Sequence, residues 1–337
     1  MNKAYDDILC LPHTESERKW LAERLSTLSA RESIALAAAR ERTPPETTMD
    51  AINIMASLRN YGICGPVSDC GDLSWLYLAE AKLDLPDMVL AYTDMDALGA
   101  AFADLHPGAF IGGFYVMYPD APEETPYDGT NLATLKDDDW SVKVKLASLC
   151  KPEGVWLRLP DHSEANDGAP DEAAVALRAL GVDELSQCTI IDARCVFPRA
   201  GNLMEQYDDP DELIRDGNNL GYLLDERAQG MKAYEQKLAA AIEYEGCATL
   251  KDVIACADEI RKYSFVTTDK LEEYARSELL KAGAPEMLID AGLFDLKGFA
   301  SASLEQNGYR LDRSESVYLK PRQEQELTQC AMTMQQM

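Results

Sequence analysis

Clustered carboxylates are the side chains in this sequence whose type and spacing could do chemistry. One run consists of Asp137, Asp138 and Asp139. Carboxylate oxygens suit Mg²⁺ or Ca²⁺, but no Asp-x-Asp-x-Asp-Gly loop with a distal Glu follows this run. We therefore predict a solvated acidic loop here, and no metal site.

A second, denser acidic group surrounds Pro210. Its members are Asp208, Asp209, Asp211, Glu212 and Asp216. Proline is favoured in the first turn of a helix, and acids near a helix N-terminus interact favourably with the helix dipole. Local capping accounts for two or three of these acids, and the others are expected to be solvated or to face a cationic partner.

The remaining candidates for catalysis do not form a recognisable site. His13, His106 and His162 each lack a partner at ligand spacing and are expected in loops. Gly112 and Gly113 are not followed by the helix that phosphate binding requires, so they predict a hairpin turn. The nine cysteines contain no C-x-x-C pair, which argues against a zinc ribbon or a disulfide framework. The sequence favours a protein without catalytic residues, metal or cofactor, and a hydrolase with an unrecognised carboxylate site is one alternative.

The net charge of the chain limits the classes of partner that it can bind. The 337 residues include 59 acidic and 32 basic side chains, a net charge of −27. Residues 49–230 carry 33 of the acids against 12 bases, so the excess is not confined to a terminal tail. Such a chain is too acidic to grip nucleic acid phosphates directly. Its charge either secures solubility or attracts a protein with a cationic groove.

Local patterns predict the elements that position these acids. Thr14 with Glu17, and Ser29 with Glu32, are capping-box pairs that predict two helices joined by a tight bend. Residues 109–118 predict a hairpin, whereas the second half of the chain offers only residues 316–319 at the corresponding place. Strands are predicted at 155–159 and 189–197, with a helix at 171–180 between them.

An internal repeat organises the chain. At a shift of 202, Thr47 and Asp50 meet Thr249 and Asp252, and at a shift of 199, Asp96 meets Asp295. The copies span 20–119 and 222–321. We predict an α+β fold that is elongated, with two related, mainly helical domains flanking a small α+β module. The expected divisions are 1–119, the first copy with its closing hairpin; 120–215, an acidic linker and the small module; 216–321, the second copy; and 322–337, a polar, flexible tail.

One segment resembles a known family. Residues 85–99, which include Leu85, Pro86, Tyr92, Asp94 and Gly99, are similar to the P-x-x-L-x-x-Y-I-D-Y-E-x-L-G segment of ArdA-type antirestriction proteins. Residues 73–85, 106–110 and 250–300 follow the family's order. The similarity covers most of 20–320 and rests on pattern and order.

The resemblance implies a DNA mimic of mobile genetic elements that occupies the DNA groove of type I restriction-modification enzymes. The family motif maps onto residues 90–101, with Asp94 and Asp96 as charged members and Tyr92, Leu98 and Gly99 as packing members. Asp104 and the two acidic groups described above would extend the mimic surface. In the second copy the alignment places Ala291 at the position of Tyr92 and Leu293 at that of Asp94.

The functional expectation is an antirestriction protein that competes with DNA for a defence enzyme, without enzymatic activity and without binding nucleic acid itself. The family is modular and usually dimeric, so a homodimer is expected. One alternative is a scaffold of a mobile element that docks proteins through apolar faces, and another is an inhibitor of a different DNA-binding defence system. We expect a cytoplasmic protein, because no membrane span or signal peptide is evident.

Overall fold

A computed structural model describes residues 6–11, 14–119, 126–135, 140–161, 171–228, 231 and 233–322. These residues form a mixed α+β structure in which helices predominate. The helices are α1 (Asp6–Leu9), α2 (Glu15–Ser26), α3 (Ala30–Arg42), α4 (Thr48–Ser57), α5 (Cys70–Glu80), α6 (Asp87–Leu90), α7 (Met95–Leu105), α8 (Glu172–Leu180), α9 (Leu203–Gln206), α10 (Pro210–Ala228), α11 (Tyr234–Glu245), α12 (Leu250–Asp258), α13 (Leu271–Lys281), α14 (Glu286–Asp290) and α15 (Leu296–Gln306). The strands are β1 (Gly62–Cys64), β2 (Gly108–Ile111), β3 (Phe114–Met117), β4 (Val142–Ala147), β5 (Val155–Leu159), β6 (Thr189–Cys195), β7 (Tyr263–Thr267), β8 (Arg310–Asp312) and β9 (Val317–Pro321).

The chain divides into two compact units, each built from two stretches. Unit 1 consists of Met1–Arg194 and Tyr207–Asn218, and unit 2 consists of Cys195–Gln206 and Asn219–Met337. The predicted α+β class is confirmed. The elongated shape and the flanking arrangement of domains stay predictions, as do the proposed domain boundaries.

The N-terminal helices of unit 1 begin where the sequence predicts. Thr14 with Glu17 and Ser29 with Glu32 both form complete capping boxes. Glu32 does more than cap α3, because its buried carboxylate accepts hydrogen bonds from Arg24 at 2.6 Å and from Arg158 at 3.0 Å. Burial alone would raise the pKa of Glu32, but the two guanidinium groups lower it to about 2. This network joins α2, α3 and β5.

The two repeat copies have the same topology. In unit 1 the antiparallel sheet has the order β1-β3-β2, and in unit 2 it has the corresponding order β7-β9-β8. A buried cluster of Val67, Leu73, Phe102 and Tyr115 packs α5 and α7 near the first sheet. Unit 2 has its own cluster, in which Leu271, Ala275, Ala300, Leu304 and Tyr318 join α13, α15 and β9.

The hairpin prediction is confirmed for the first copy and wrong for the second. Gly112 and Gly113, with φ of +60° and +83°, turn the chain between β2 and β3, as a two-residue loop with positive φ at both positions requires. The second copy also forms a hairpin, because β8 pairs with β9 from Arg310 to Asp312. Strand β8 has only three residues, two of which are charged, whereas β2 contains the apolar run Ala109, Phe110 and Ile111, so the sequence of β8 gives little strand signal.

The middle sheet, with the order β5-β4-β6, lies in unit 1. Val142, Val144 and Leu146 alternate along β4 and are buried on one face. Gly217 of α10 packs against this face, because a Cβ there would overlap Leu159. The predicted strands near 155–159 and 189–197 and the helix at 171–180 are confirmed. No helix in the described ranges has the length and apolar content needed to cross a membrane.

Candidate acidic docking surface

Helices α5 and α7 run parallel and in close contact. At their N-terminal ends, a Cβ on Gly99 would overlap the carbonyl group of Cys70. At their C-terminal ends, the Nε2 atom of His106 lies 2.9 Å from the Oε2 atom of Glu80. The absence of a side chain at Gly99 therefore permits the close approach of the two helices. Gly99, predicted as a packing residue, lies at this contact.

Four exposed aspartates gather at the shared N-terminal end of these helices, and we call them the helix-end cluster: Asp69, Asp72, Asp94 and Asp96. Asp69 caps α5 by accepting from the Asp72 amide at 3.1 Å. Asp94 caps α7 by accepting from the Ala97 amide at 3.0 Å. A Cβ on Gly71 would lie 3.1 Å from Asp96 Oδ1 and 3.2 Å from Asp69 Oδ1, so the two carboxylates flank the same backbone position.

The positive ends of two helix dipoles explain how like charges can gather here. Each helix presents free backbone amides and partial positive charge at its N-terminus, which stabilises nearby carboxylates. The cluster remains exposed, so its net negative field extends into solvent over a Debye length of about 8 Å at physiological salt. Asp104 is also exposed, and it lies about 12 Å further along the α7 axis than Asp96.

The second predicted acidic group begins α10. Asp208, Asp209 and Asp211 are exposed, and Asp209 accepts from the Asp211 amide at 3.0 Å. Glu212 and Asp216 are half-buried. Asp216 accepts a hydrogen bond from the Tyr207 hydroxyl at 2.8 Å. Burial and this hydrogen bond raise the pKa of Tyr207 above its usual range.

The structure therefore divides the predicted surface residues into groups. Asp94 and Asp96 come together with Asp69 and Asp72, which the sequence interpretation missed although Asp69 precedes an apolar helical stretch as a cap does. Of the α10 group, three carboxylates are exposed, and the half-buried Glu212 and Asp216 lie within 4 Å of Arg215. Asp137, Asp138 and Asp139 lie outside the described residues, as do His13 and His162.

Two motif residues predicted to pack behave differently. Leu98 is half-buried on α7. Tyr92 is 90% exposed, so the prediction that it packs within the chain is wrong. It lies in a turn after α6, where its amide donates to the Val89 carbonyl, and not on the helix that carries Leu98.

The second copy does not reproduce the helix-end cluster. Asp295 caps α15 by accepting from the Gly298 amide at 3.0 Å, so its structural counterpart is Asp94. The alignment at a shift of 199, which matched Asp295 with Asp96, is wrong at this helix. Two residues after the cap, where the first copy has Asp96, the second has Lys297, and its Nζ atom lies 3.4 Å from Glu272.

Exposed apolar side chains surround the short helices α6 and α14. Met88 is 77% exposed on α6, and Met287 is 75% exposed on α14. Tyr92 follows α6, and Leu293 follows α14 with 71% exposure. Exposed apolar groups of this kind are typical of protein contacts. The two copies thus share the apolar feature and differ in the charge beside it.

His106 packs against Phe102 with 4.7 Å between ring centroids and a 46° tilt between the rings, and it occupies the C-cap position of α7, so both contacts are structural. Within the described residues, no group of three or more His, Cys, Asp or Glu side chains is arranged to hold a metal ion. No protein-family model, curated protein or solved structure matches this chain.

Proposed function

We propose that the protein is an antirestriction protein that mimics DNA and competes for the DNA groove of a type I restriction-modification enzyme. It acts by binding, without catalysis or cofactor. The observation that carries the proposal is the helix-end cluster, in which Asp94 and Asp96 of the family-like segment meet Asp69 and Asp72. Four exposed carboxylates held at fixed positions offer a cationic groove the kind of field that phosphates offer.

The capping bonds support this function because they order the charges before binding. Asp69 and Asp94 are held by backbone amides, so less conformational freedom is lost when a partner binds them. The exposed acids at the start of α10 add to the negative potential of unit 1. In this proposal the target is the restriction enzyme, and the antirestriction protein itself does not bind nucleic acid.

The test is displacement of duplex DNA from a purified type I restriction enzyme, followed from low to high salt. We expect displacement to weaken as salt rises, because screening reduces attraction between exposed charges. Asp94→Asn and Asp96→Asn should each weaken displacement about two- to fivefold, the range for exposed charge pairs. Asp295→Asn, at the equivalent cap of the second copy, is the matched control and should change displacement little. Displacement that is absent at every salt concentration would overturn the proposal.

A second candidate function is a protein-docking scaffold that binds through its apolar faces. It is favoured by the exposure of Met88 and Met287 at corresponding places in the two copies. Binding of this type would persist at high salt and would be lost on Met88→Ser, while Asp94→Asn would leave it intact. The salt series therefore separates the two candidates.

A further inference from the structure

Two cysteines of unit 2 form a thiol pair at the wall of a cavity. The Cys256 thiol donates a hydrogen bond to the sulfur of Cys247. Both residues line the same cavity, whose volume is about 300 Å³. Cys247 is 8% exposed, Cys256 is 4% exposed, and both are free cysteines. Two sulfur atoms in contact at a cavity wall can bind one ligand together.

The ends of two helices bring these cysteines together. Gly246 ends α11 with a φ of +67°, a left-handed conformation that favours glycine, and the Cys247 amide then donates to the Ile242 carbonyl at 3.1 Å. Cys256 lies on α12, three residues after the buried Val253 and on the same face of that helix. The backbone therefore places both side chains at the cavity without help from a ligand.

Burial sets the chemical state of the thiol pair. It raises the pKa of both thiols, that of Cys256 to about 12, so both carry a proton at neutral pH. Peroxides and disulfides react with a thiolate, so a protonated pair is a poor site for oxidation or disulfide exchange. A soft metal ion acts differently, because coordination removes the thiol proton outright. The state of the pair thus favours a metal ion over an oxidant.

The charge of the cavity lining favours a cation. The lining includes three carboxylates, those of Glu245, Asp252 and Glu259, and one ammonium group, that of Lys262. The Nζ atom of Lys262 lies 2.8 Å from Glu259 and 3.8 Å from Glu245. Asp252 accepts from the Thr249 amide at 3.0 Å. Since these carboxylates have protein partners, they act on an incoming cation through their negative field, and the two sulfur atoms are its ligands.

The number of ligands selects the class of ion. Among the residues that the structure describes, no group of three or more His, Cys, Asp or Glu side chains is arranged to hold a metal ion. The thiol pair therefore offers two ligands, both of them sulfur. Structural Zn²⁺ takes four ligands in a tetrahedron, which this pair does not supply. Cu⁺ selects soft thiolate ligands, and two of them in a linear arrangement satisfy it.

We propose that Cys247 and Cys256 bind one Cu⁺ ion between their sulfur atoms. Each S–H bond is replaced by a Cu–S bond, both protons pass to solvent, and no electron is transferred. One Cu⁺ with two thiolates carries a net negative charge, which the Lys262 ammonium offsets, since its charge already favours the thiolate form of Cys256. The site lies in unit 2 and uses no residue of the helix-end cluster, so this binding is separate from competition with DNA.

Anaerobic titration of the full chain with Cu⁺, against a chromophoric Cu⁺ chelator as competitor, tests the proposal. The competitor withholds the metal from single exposed thiols such as Cys10 and Cys150. We expect the chain to retain one Cu⁺, and X-ray absorption at the copper edge should show two sulfur ligands. Zn²⁺ is the metal control and should not displace the bound Cu⁺. Failure to retain Cu⁺ against the competitor, or a spectrum with nitrogen or oxygen ligands, would overturn the proposal.

Variants of the thiol pair locate the ion. Loss of an outer-shell group costs about 10–100-fold in metal affinity, so Cys247→Ala and Cys256→Ala, which each remove a ligand, should weaken Cu⁺ binding at least about 100-fold. The double variant should lose little more than either single variant, because the pair binds one ion. Cys188→Ala is the matched control, since Cys188 is also buried and its thiol donates to the Glu184 carbonyl at 3.9 Å.

Two results from these variants would overturn the proposal. One is an equal loss of Cu⁺ binding in Cys188→Ala and Cys256→Ala, and the other is an additive loss in the double variant. Circular dichroism checks that each variant is folded. The X-ray absorption spectrum of the unmodified protein decides the question if a variant does not fold.

Discussion

Gly99 packs against the carbonyl group of Cys70 so closely that the α5–α7 pair has no space for a side chain at that position. We predict that Gly99→Ala lowers the free energy of unfolding by about 1–3 kcal/mol, the usual cost of overpacking. Urea denaturation measures it. The control is Gly71→Ala in the same helix pair, where a Cβ would meet only the ends of the Asp69 and Asp96 side chains, which can move. Equal midpoints for the two variants would contradict the packing argument.

Asp94 both caps α7 and carries charge, and two substitutions separate these roles. Asn can still accept the hydrogen bond from the Ala97 amide, so Asp94→Asn should change stability by less than about 0.5 kcal/mol. Asp94→Ala loses the cap and should cost about 1 kcal/mol. If charge drives partner binding, both variants should lose competition with DNA to a similar degree. Retention of competition by Asp94→Asn but not by Asp94→Ala would instead indicate that the order of the helix end matters.

Glu172 should make the protein less stable as the pH rises. Its Oε2 atom is buried and has no hydrogen-bond partner within the described residues. Burial raises the pKa of Glu172 to about 8, Arg31 and Arg158 oppose the rise, and Glu32 and Asp161 add to it. Since this pKa is higher in the folded than in the unfolded chain, its contribution to stability is complete below about pH 4.5 and is lost as the pH rises through about 8.

The Glu172→Gln variant tests this prediction. It should match the unmodified protein near pH 4 and exceed its free energy of unfolding near pH 9, because Gln carries no charge to bury. Urea denaturation at several pH values measures the difference. Glu153→Gln, at an exposed position, is the control and should change stability little. A difference that does not grow with pH would contradict the prediction.

Glu32 should make the protein less stable as the pH falls, the opposite of the effect of Glu172. Its pKa is lowered to about 2 in the folded chain, so its contribution is present above about pH 4.5 and is lost as the pH falls through about 2. At neutral pH, Glu32→Gln removes the carboxylate that Arg24 and Arg158 share, and it should cost about 3–5 kcal/mol. Glu243→Gln, which removes an exposed pair with Arg199, should cost less than about 1 kcal/mol. Thermal or urea unfolding that ranks the two equally would contradict the buried-network account.

Most of the secondary structure could be predicted from local sequence patterns. Thr14, Ser29 and Thr249 each cap a helix by bonds to residues three positions away, so the sequence contains the whole interaction. Long-range contacts were harder to predict. Strand β1 consists of three residues and is defined by its pairing with β3. The residues Gly62–Cys64 do not by themselves indicate that partner.

The candidate docking surface also depends on long-range contacts that the sequence does not predict. Asp94 and Asp96 could be selected from the sequence, but Asp69 joins them because Gly99 lets α5 approach α7, 25 residues and more along the chain. The exposure of Tyr92 could not be predicted, since an aromatic residue in an apolar segment usually packs. Strand β4 was not predicted, although apolar and basic residues alternate over 142–146.

The segment from Tyr207 to Asn218 belongs to unit 1 although twelve residues of unit 2 precede it. It completes unit 1 directly: the Ser141 hydroxyl donates to the Gly217 carbonyl at 2.7 Å, and the Asp161 amide donates to Asn218 at 2.8 Å. During synthesis the ribosome must therefore release residue 218 before the middle sheet can receive its final contacts. Polypeptides grow at about 5–20 residues per second, so residue 218 is added about one to five seconds after residue 194. During that interval Val142 and Leu159 are uncovered, and chaperones can reach them.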